Sequence, residues 1–500
     1  MRKSFPLALK ILLAAAAAGV VLEAGFHPLL AAVRSARAAL PGGGQALEIY
    51  VIGESTAAGE PYAPKISFPK IVSHMYGGRL AGRELRIINL AEPGSDLEAQ
   101  HWKLLRAAAL RPAGPGLLLI YAGVNEAAPD EPDRAFGRWR LAGRSLLLSK
   151  ALSLAPSSRA AGLIFGPYHT QAKYEHRLRR TLRLARKLGL KPVVSTLAGN
   201  LADFPSLAEP AFGDPADAEL YARALRLSAA GSHAGAARLY RELLAGAGGD
   251  LSGLHYSLGR GLAAAGDNAG AARHFRLAAD RGWNHRPTGA QNDAVRRAAA
   301  AEGAALADTA ALFERESPGG LVGDGLFADA HHPNIRGYAL LAGSFAAGIA
   351  ETLGLQPPRP PLSEGEVRAL SGFSTADDFL VSVSRLKWYC GLASLPGNAG
   401  LLPKAQAYLA KAEGQHRLLG GDPERELQLS FCRLLIAACR GDGPGAARLL
   451  REGGFLNGNL RYLNNGNPFF ENWLYALLGA AGLPEDDRKE LARARRAGRR

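Results

Sequence analysis

Residues 47–55 read LEIYVIGES, a short run with the pattern of a buried strand that leads into Gly53, Glu54 and Ser55. A run of this length that ends at a glycine is typical of a strand inside a sheet. A serine on the turn that leaves such a strand has its hydroxyl at the carboxyl edge of the sheet, where open α/β folds place their sites. The stretch therefore predicts an α/β fold and marks Ser55 as a candidate functional residue.

A second candidate group lies far along the chain, where residues 329–333 read DAHHP. Asp329 and His332 are three residues apart on one predicted loop, so both can reach the same serine. In such a group the histidine acts as a base and the aspartate orients its ring. Together with Ser55, this pair predicts a serine hydrolase.

Two further strand ends lie between these groups. Residues 89–94 read NLAEPG after a predicted strand at 85–90, and residues 123–126 read GVNE after a predicted strand at 117–122. Acyl transfer needs hydrogen-bond donors aimed at the oxyanion of the tetrahedral intermediate. A flexible glycine can bring its N–H close, and an asparagine amide supplies two further N–H donors. These strand ends therefore predict an oxyanion site beside the serine.

In their order and wording these blocks resemble the SGNH (GDSL-type) hydrolase family, whose four blocks carry Ser, Gly, Asn and His. The resemblance covers roughly residues 45–355. The resemblance implies these roles: nucleophile Ser55, triad partners Asp329 and His332, and oxyanion donors Ser55, Gly94 and Asn125. The Asp-x-x-His-Pro spacing favours His332 over His331, which would be a neighbour in contact with substrate. The histidines are scattered and form no cluster with metal-ligand spacing, so we expect no metal, and we expect no cofactor.

The sequence departs from the usual family wording at two positions. The common Gly-Asp-Ser is here Gly-Glu-Ser, with Glu54, and Gly-x-Asn-Asp is Gly-x-Asn-Glu, with Glu126. Both residues flank predicted catalytic residues, so the predicted roles stand. The strings at 53–62 and 200–205 resemble a subgroup of large bacterial members that have a membrane-proximal start and tetratricopeptide-like repeats.

An internal repeat interrupts the α/β pattern. Residues 231–240 read GSHAGAARLY and residues 266–275 read GDNAGAARHF, an offset of 35 residues, close to the roughly 34 residues of a tetratricopeptide repeat. Residues 441–450 echo the same turn and helix start. Two repeats are too few for a free solenoid, so they must pack on the rest of the chain. Such hairpins either bind a protein partner or serve only as a packing module.

Strand and helix patterns alternate from residue 47 to residue 197, which predicts a parallel sheet wrapped by helices. We therefore expect an SGNH-type three-layer α/β fold with a central parallel sheet, interrupted by a tetratricopeptide-like helical insertion and followed by a helical C-terminal domain. The predicted segments are a signal peptide or anchor (1–40), the first part of the hydrolase core (45–213), the repeats (214–284), the second part of the core (285–356), and the C-terminal domain (362–500).

The N-terminus predicts export. Arg2 and Lys3 precede an apolar stretch whose uninterrupted part, residues 11–22, has 12 residues, the length of a signal-peptide core. Tolerating Glu23 and His27 extends the stretch far enough to cross a bilayer. We favour an uncleaved anchor with its positive end in the cytoplasm. The expected location is the bacterial inner membrane facing the periplasm, or secretion if the segment is cleaved.

Composition excludes several other classes of protein. The net charge is +15, but no aromatic-interleaved basic patch accompanies it, so nucleic acid is not an expected partner. The 3 cysteines (Cys390, Cys432 and Cys439) lie in the C-terminal third. Their odd number argues against a disulfide scaffold and against a thiol enzyme, although a disulfide to Cys390 stays open.

The resulting expectation is a serine esterase that hydrolyses ester bonds, O-acyl or acetyl, on an extracytoplasmic glycan or lipid through an acyl-enzyme. One alternative is an O-acyltransferase that uses the same triad to modify a cell-envelope polysaccharide. An alternative of another class is a repeat-type scaffold with a vestigial hydrolase core. The presence of all five predicted catalytic positions argues against the scaffold.

Overall fold

The structure is a computed structural model of the 500-residue chain. It describes residues 32, 35–36, 46–109, 114–126, 170–206, 210, 212–246, 251–282, 286–356, 358, 361–395, 398–457, 459–463 and 468–497. The chain forms two compact units, of which the first comprises Met1–Asn200 and His285–Val367 and the second Leu201–Asn284 and Arg368–Arg500. The predicted repeats thus share a unit with the C-terminal helices, and the five predicted segment limits remain predictions.

The first unit is built on a six-stranded sheet in the order β2-β3-β1-β4-β5-β6. Strands β1, β3, β4, β5 and β6 run parallel, and the short β2 pairs antiparallel with β3. The order reverses on either side of β1, which makes the carboxyl end of β1 a topological switch point. The strands are β1 (Leu47–Gly53), β2 (Arg79–Leu80), β3 (Arg83–Asn89), β4 (Gly116–Tyr121), β5 (Lys191–Ser195) and β6 (Ala305–Ala307).

The helices alternate with these strands and then continue alone to the end of the described chain. In chain order they are α1 (Ser55–Ala58), α2 (Phe68–Met75), α3 (Leu97–Ala108), α4 (Thr170–Lys187), α5 (Pro215–Ala229), α6 (His233–Ala245), α7 (Ser252–Ala264), α8 (Asn268–Asp280), α9 (Gly289–Glu302), α10 (Thr309–Glu316), α11 (Ile335–Leu353), α12 (Glu364–Ser371), α13 (Thr375–Ala393), α14 (Leu402–Leu418), α15 (Pro423–Cys439), α16 (Gly443–Glu452), α17 (Pro468–Ala480) and α18 (Glu485–Ala497).

Helices cover both faces of the sheet, because its central strands are apolar on both sides. Every residue of β1 and β4 is buried, as expected for strands of a covered parallel sheet. On one face the side chains of α3, α4 and α9 join a continuous core with those of β1, β4 and β5. On the other face α2 and α11 pack together, and the rings of Phe68 and Phe345 stack at a centroid distance of 4.5 Å. The predicted α/β class with a parallel central sheet and a helical C-terminal region is confirmed.

The second unit is helical throughout its described residues. Helices α6 and α8 begin at equivalent positions of the two sequence repeats. Equivalent ring pairs fill the helix interfaces, since Tyr221 lies 6.0 Å from Tyr240 and Tyr256 lies 5.6 Å from Phe275 between ring centroids. The repeats therefore use the same aromatic packing twice.

The glycine that recurs in the repeat turn has a local physical reason. Asp267 and Asp442 each cap a helix by accepting the N–H of the residue three positions on, Gly270 at 2.8 Å and Gly445 at 2.9 Å. A Cβ on either glycine would lie under 3.0 Å from the capping carboxylate. The aspartate cap thus explains the glycine in these two turns.

The expected membrane location is contradicted by the structure. Across the described residues, no helix combines the length and the apolar character needed to cross a bilayer. The predicted N-terminal anchor, residues 1–40, lies outside the described residues apart from 32 and 35–36. The disulfide that the sequence left open is absent as well, because Cys390, Cys432 and Cys439 are all free.

Candidate active site

The first predicted residue, Ser55, is the first residue of α1 and lies directly beyond the carboxyl end of β1. The turn requires Gly53, because a Cβ there would lie 2.2 Å from the carbonyl oxygen of Tyr121 on the neighbouring strand β4. Tyr338 supports the turn from the other side by donating its hydroxyl to the carbonyls of Thr56 at 3.0 Å and Glu60 at 2.6 Å. The half-buried Ser55 hydroxyl is therefore held on a tightly packed backbone.

Ser55, His332 and Asp329 form a continuous chain of hydrogen bonds. The Oγ of Ser55 lies 2.8 Å from Nε2 of His332, and Nδ1 of His332 lies 2.7 Å from Oδ2 of Asp329. These are hydrogen-bond distances, and the order of the three groups is that of a serine–histidine–aspartate triad. The structure thus brings Ser55 into contact with a pair of residues that lies more than 270 positions later in the sequence.

Asp329 is fully buried, and both of its carboxylate oxygens are used. While Oδ2 faces the imidazole, Oδ1 accepts the backbone N–H groups of His331 at 3.0 Å and His332 at 2.9 Å. The loop itself is tied to the end of β5, because the N–H of Asn200 donates to the carbonyl of Ala330 at 2.9 Å. The buried carboxylate is consequently satisfied and fixed in orientation.

The predicted oxyanion donors occupy the ends of three adjacent strands, β3, β1 and β4. Within the described part of the chain, neither the N–H of Ser55 nor that of Gly94 donates a hydrogen bond to the protein. Gly94 has φ +76, a left-handed conformation that glycine adopts readily. The amide of Asn125 donates one hydrogen to the carbonyl of Ser95 at 3.1 Å, which orients its second N–H donor.

The neighbouring histidine, His331, also lies in the site. Its ring centroid is 4.0 Å from that of His332, and its carbonyl accepts the hydroxyl of Thr56 at 3.3 Å. His331 is not the ring that contacts Ser55, so the geometry agrees with the choice of His332 as the base.

Glu54, to which the sequence analysis assigned no role beyond flanking Ser55, connects two segments of the site. Its side chain is buried, and its carboxylate accepts three consecutive backbone N–H groups of the β4 turn. Oε1 accepts from Gly123 at 2.9 Å and Asn125 at 3.1 Å, and Oε2 accepts from Val124 at 2.9 Å. The residue before the nucleophile thus holds the backbone of the loop that carries Asn125.

Glu126, the second departure from the family wording, makes a corresponding connection on the other side of that loop. Its Oε1 accepts the N–H of Leu97 at the start of α3 at 2.9 Å, and its Oε2 lies 3.0 Å from Nη1 of Arg177 on α4. Arg177 also contacts Asp96 at 3.2 Å. The two glutamates together connect the three segments that carry the predicted oxyanion donors.

Burial dominates the electrostatics of this pair. Burial and the negative charge of Glu126 raise the pKa of Glu54, while the three N–H donors, which use both oxygens as acceptors, favour the ionised carboxylate and oppose the rise. Burial likewise raises the pKa of Glu126, and the charge of Arg177 acts in the opposite direction. The guanidinium of Arg177 therefore offsets part of the cost of burying Glu126.

A signal for the glutamates was present in the sequence. Glu54 closely follows the apolar run at residues 49–52, and a carboxylate in such a place is buried only if N–H or cationic partners satisfy it. What the sequence lacked was the identity of the partner. Gly53 pairs with Tyr121, and this register places the β4 turn against Glu54.

The residues that could hold a metal are those of the triad loop. Among the described residues, one group of potential ligands stands out: Asp329, His331 and His332, whose ligand atoms lie within 4.8 Å of one another. The oxygens of Asp329 already accept two N–H groups and face the His332 ring. A metal would have to displace these hydrogen bonds, so the arrangement fits a triad better than a metal centre.

Comparison with known proteins finds likeness only among solved structures. The sequence matches no protein-family model and no curated protein. A protein described as a GDSL-like lipase from Parabacteroides merdae is 12% identical, with 63% of this chain and 98% of that chain covered and a TM-score of 0.32. The α/β hydrolase LAE5 from the metagenome of Lake Arreo is 16% identical, covering 62% of this chain and 98% of LAE5, with a TM-score of 0.30.

The acetylxylan esterase Axe2 from Geobacillus stearothermophilus is 14% identical to this chain, with 63% of this chain and 99% of that chain covered and a TM-score of 0.28. At TM-scores and identities this low, these likenesses carry no weight for activity or substrate. What the site can do is read from its own geometry.

Proposed function

We propose that this chain is a serine esterase of the SGNH type, which cleaves ester bonds through an acyl-enzyme. One observation carries the assignment: the hydroxyl of Ser55 is hydrogen-bonded to His332, whose other ring nitrogen is bonded to the buried carboxylate of Asp329. A serine hydroxyl is a weak nucleophile unless an adjacent base accepts its proton. His332 is placed to do so.

In the first step, Nε2 of His332 accepts the proton of Ser55 while Oγ bonds to the ester carbonyl carbon. The carbonyl oxygen becomes the oxyanion, stabilised by the N–H groups of Ser55 and Gly94 and by the amide of Asn125. Asp329 accepts the Nδ1–H of the resulting imidazolium and holds the ring in place.

In the second step, His332 gives its proton to the leaving alcohol as the bond between the carbonyl carbon and the alkoxy oxygen breaks. The acyl group stays on Ser55. Water then attacks the acyl-enzyme after losing a proton to His332, and the same donors stabilise the second oxyanion. Release of the carboxylic acid returns the proton to Ser55 and restores the site.

The substrate is proposed no further than an ester. The expectation of a cell-envelope glycan or lipid rested on an extracytoplasmic location, and no contact of the described residues identifies the acyl group or the alcohol of the ester. Transfer of the acyl group to a sugar hydroxyl would use the same triad, and no described contact favours it over hydrolysis. The scaffold alternative requires an inert Ser55, which the contact with His332 opposes.

The decisive experiment combines labelling and turnover. Wild-type protein, Ser55→Ala and the control Ser228→Ala, a serine of α5, are treated with a fluorophosphonate probe and assayed with p-nitrophenyl acetate. We expect labelling and turnover in wild type and Ser228→Ala and neither in Ser55→Ala. Folded wild-type protein that is not labelled at Ser55 would overturn the proposal in favour of a non-catalytic role.

A further inference from the structure

The three oxyanion-donor segments are connected by buried carboxylates rather than by backbone pairing alone. Glu54 immediately precedes Ser55 and accepts the N–H groups of residues 123–125. Glu126 continues from the same loop to the N–H of Leu97, three residues after Gly94. A displacement of one segment is therefore transmitted to the others through these two side chains.

We propose that Glu54 is a positioning residue for ester cleavage, which fixes the amide of Asn125 and the N–H of Ser55 as one rigid set of oxyanion donors. This inference rests on the proposed esterase function. Oxyanion donors lower the barrier only when they are already aimed at the place where charge develops. Glu54 supplies that preorganisation because its own backbone leads into Ser55 while its carboxylate holds the backbone of Asn125.

The contacts explain why the residue has to carry two acceptor oxygens. Oε1 receives two N–H groups and Oε2 receives the third, from Val124 at 2.9 Å. A glutamine can place its oxygen at Oε1, but its NH₂ group would then face the N–H of Val124, donor against donor. The buried loop can relieve this contact only by moving away from Glu54, and Asn125 moves with it.

Glu54→Gln is therefore the informative variant, and Glu48→Gln is its matched control. Glu48 is a buried glutamate near the amino end of β1, the strand that leads to Glu54, and its carboxylate accepts a hydrogen bond from the hydroxyl of Tyr50. With p-nitrophenyl acetate we expect Glu54→Gln to lower kcat about a hundredfold, the scale of an ångström-sized misplacement of a catalytic group, with KM nearly unchanged. Glu48→Gln should keep the wild-type kcat.

A double-mutant cycle with Asn125→Ala separates positioning from a general structural role. If Glu54 acts through the amide of Asn125, then Glu54→Gln should lower kcat by less than about threefold once that amide is absent. Glu54→Asp keeps two acceptor oxygens one methylene further back and should retain more activity than Glu54→Gln. A full hundredfold loss in the Asn125→Ala background, or equal activity of the Asp and Gln variants, would overturn the inference.

Amide hydrogen exchange gives a readout that needs no activity. The N–H groups of residues 123–125 should exchange at least about tenfold faster in Glu54→Gln than in wild type, because an acceptor has been lost. Unchanged exchange would overturn the positioning role whatever the kinetics show. If the wild-type protein cleaves no ester but these N–H groups still exchange faster in Glu54→Gln, the proposed esterase function fails while the structural role of Glu54 is supported.

Discussion

Replacing Asp329 by asparagine tests the triad most directly, because the structure determines how the new amide must sit. Oδ1 of Asp329 accepts two backbone N–H groups and Oδ2 accepts from the His332 ring. Asparagine keeps one acceptor oxygen. The orientation with its oxygen at the two N–H groups keeps both of those hydrogen bonds, whereas the reverse orientation loses both and places NH₂ against N–H donors.

The favoured orientation presents the asparagine NH₂ to Nδ1 of His332. That nitrogen must then be the acceptor, so the ring proton moves to Nε2, which faces Ser55. An imidazole in this tautomer cannot take the serine proton. The corresponding change in serine proteases lowers kcat by about 10⁴-fold, which corresponds to about 5.5 kcal/mol in the activation free energy.

The assay is steady-state cleavage of p-nitrophenyl acetate at neutral pH, with kcat and KM measured separately. The control is Asp267→Asn, the same change at the N-cap of α8, where asparagine caps as well as aspartate. We expect kcat to fall by about four orders of magnitude in Asp329→Asn and to stay unchanged in the control. If Asp329→Asn keeps kcat within tenfold of wild type, the claim that Asp329 sets the His332 tautomer needed for proton transfer from Ser55 is refuted.

Three further predictions follow from described contacts. Ser55→Ala should abolish turnover and leave the melting temperature nearly unchanged, as a thermal scan will show, because the hydroxyl contributes one half-buried hydrogen bond. His332→Ala should be far more damaging to kcat than His331→Ala; equal losses would contradict the choice of base. Burial, assisted by His255, lowers the pKa of His274 to about 4 from its usual 6.5, so its stabilising contribution is complete above pH 6.5 and is lost as the pH falls towards 4. The urea midpoints of wild type and His274→Gln should therefore converge as the pH falls from 6.5 towards 4. A constant difference between the two midpoints over this range would refute the pH dependence assigned to His274.

The central strands and the residues at their ends were predictable from sequence for a simple reason. A strand that is apolar on both faces has few alternatives to the middle of a sheet, and residues directly after parallel strands meet at one edge. Ser55, Gly94 and Asn125 follow from this rule without knowledge of the strand order. The ends of the helices Gly289–Glu302 and Ile335–Leu353 are marked in the sequence, because each helix follows a capping side chain, Thr288 or Asn334, and ends at a glycine, Gly303 or Gly354.

The role of Glu54 could not be predicted, because it depends on which strands are neighbours. A buried carboxylate needs hydrogen-bond donors, but the sequence does not show whether the turn after β3 or the turn after β4 supplies them. The pairing of Gly53 with Tyr121 decides the matter. Long-range register of this kind is set by the packing of the whole sheet and leaves no local pattern.

The sheet and the triad loop contribute to the site in physically different ways. Ser55, Gly94 and Asn125, the proposed oxyanion donors, lie on turns beyond the carboxyl ends of β1, β3 and β4, and the side chains of Glu54 and Glu126 connect these turns. The proposed base, His332, lies on a loop outside the sheet. This loop is held by the hydrogen bond from the N–H of Asn200 to the carbonyl of Ala330 and by the two N–H groups that donate to Asp329. Asp329→Asn should accordingly disturb the imidazole tautomer more than the loop, because the asparagine oxygen can still accept both N–H groups.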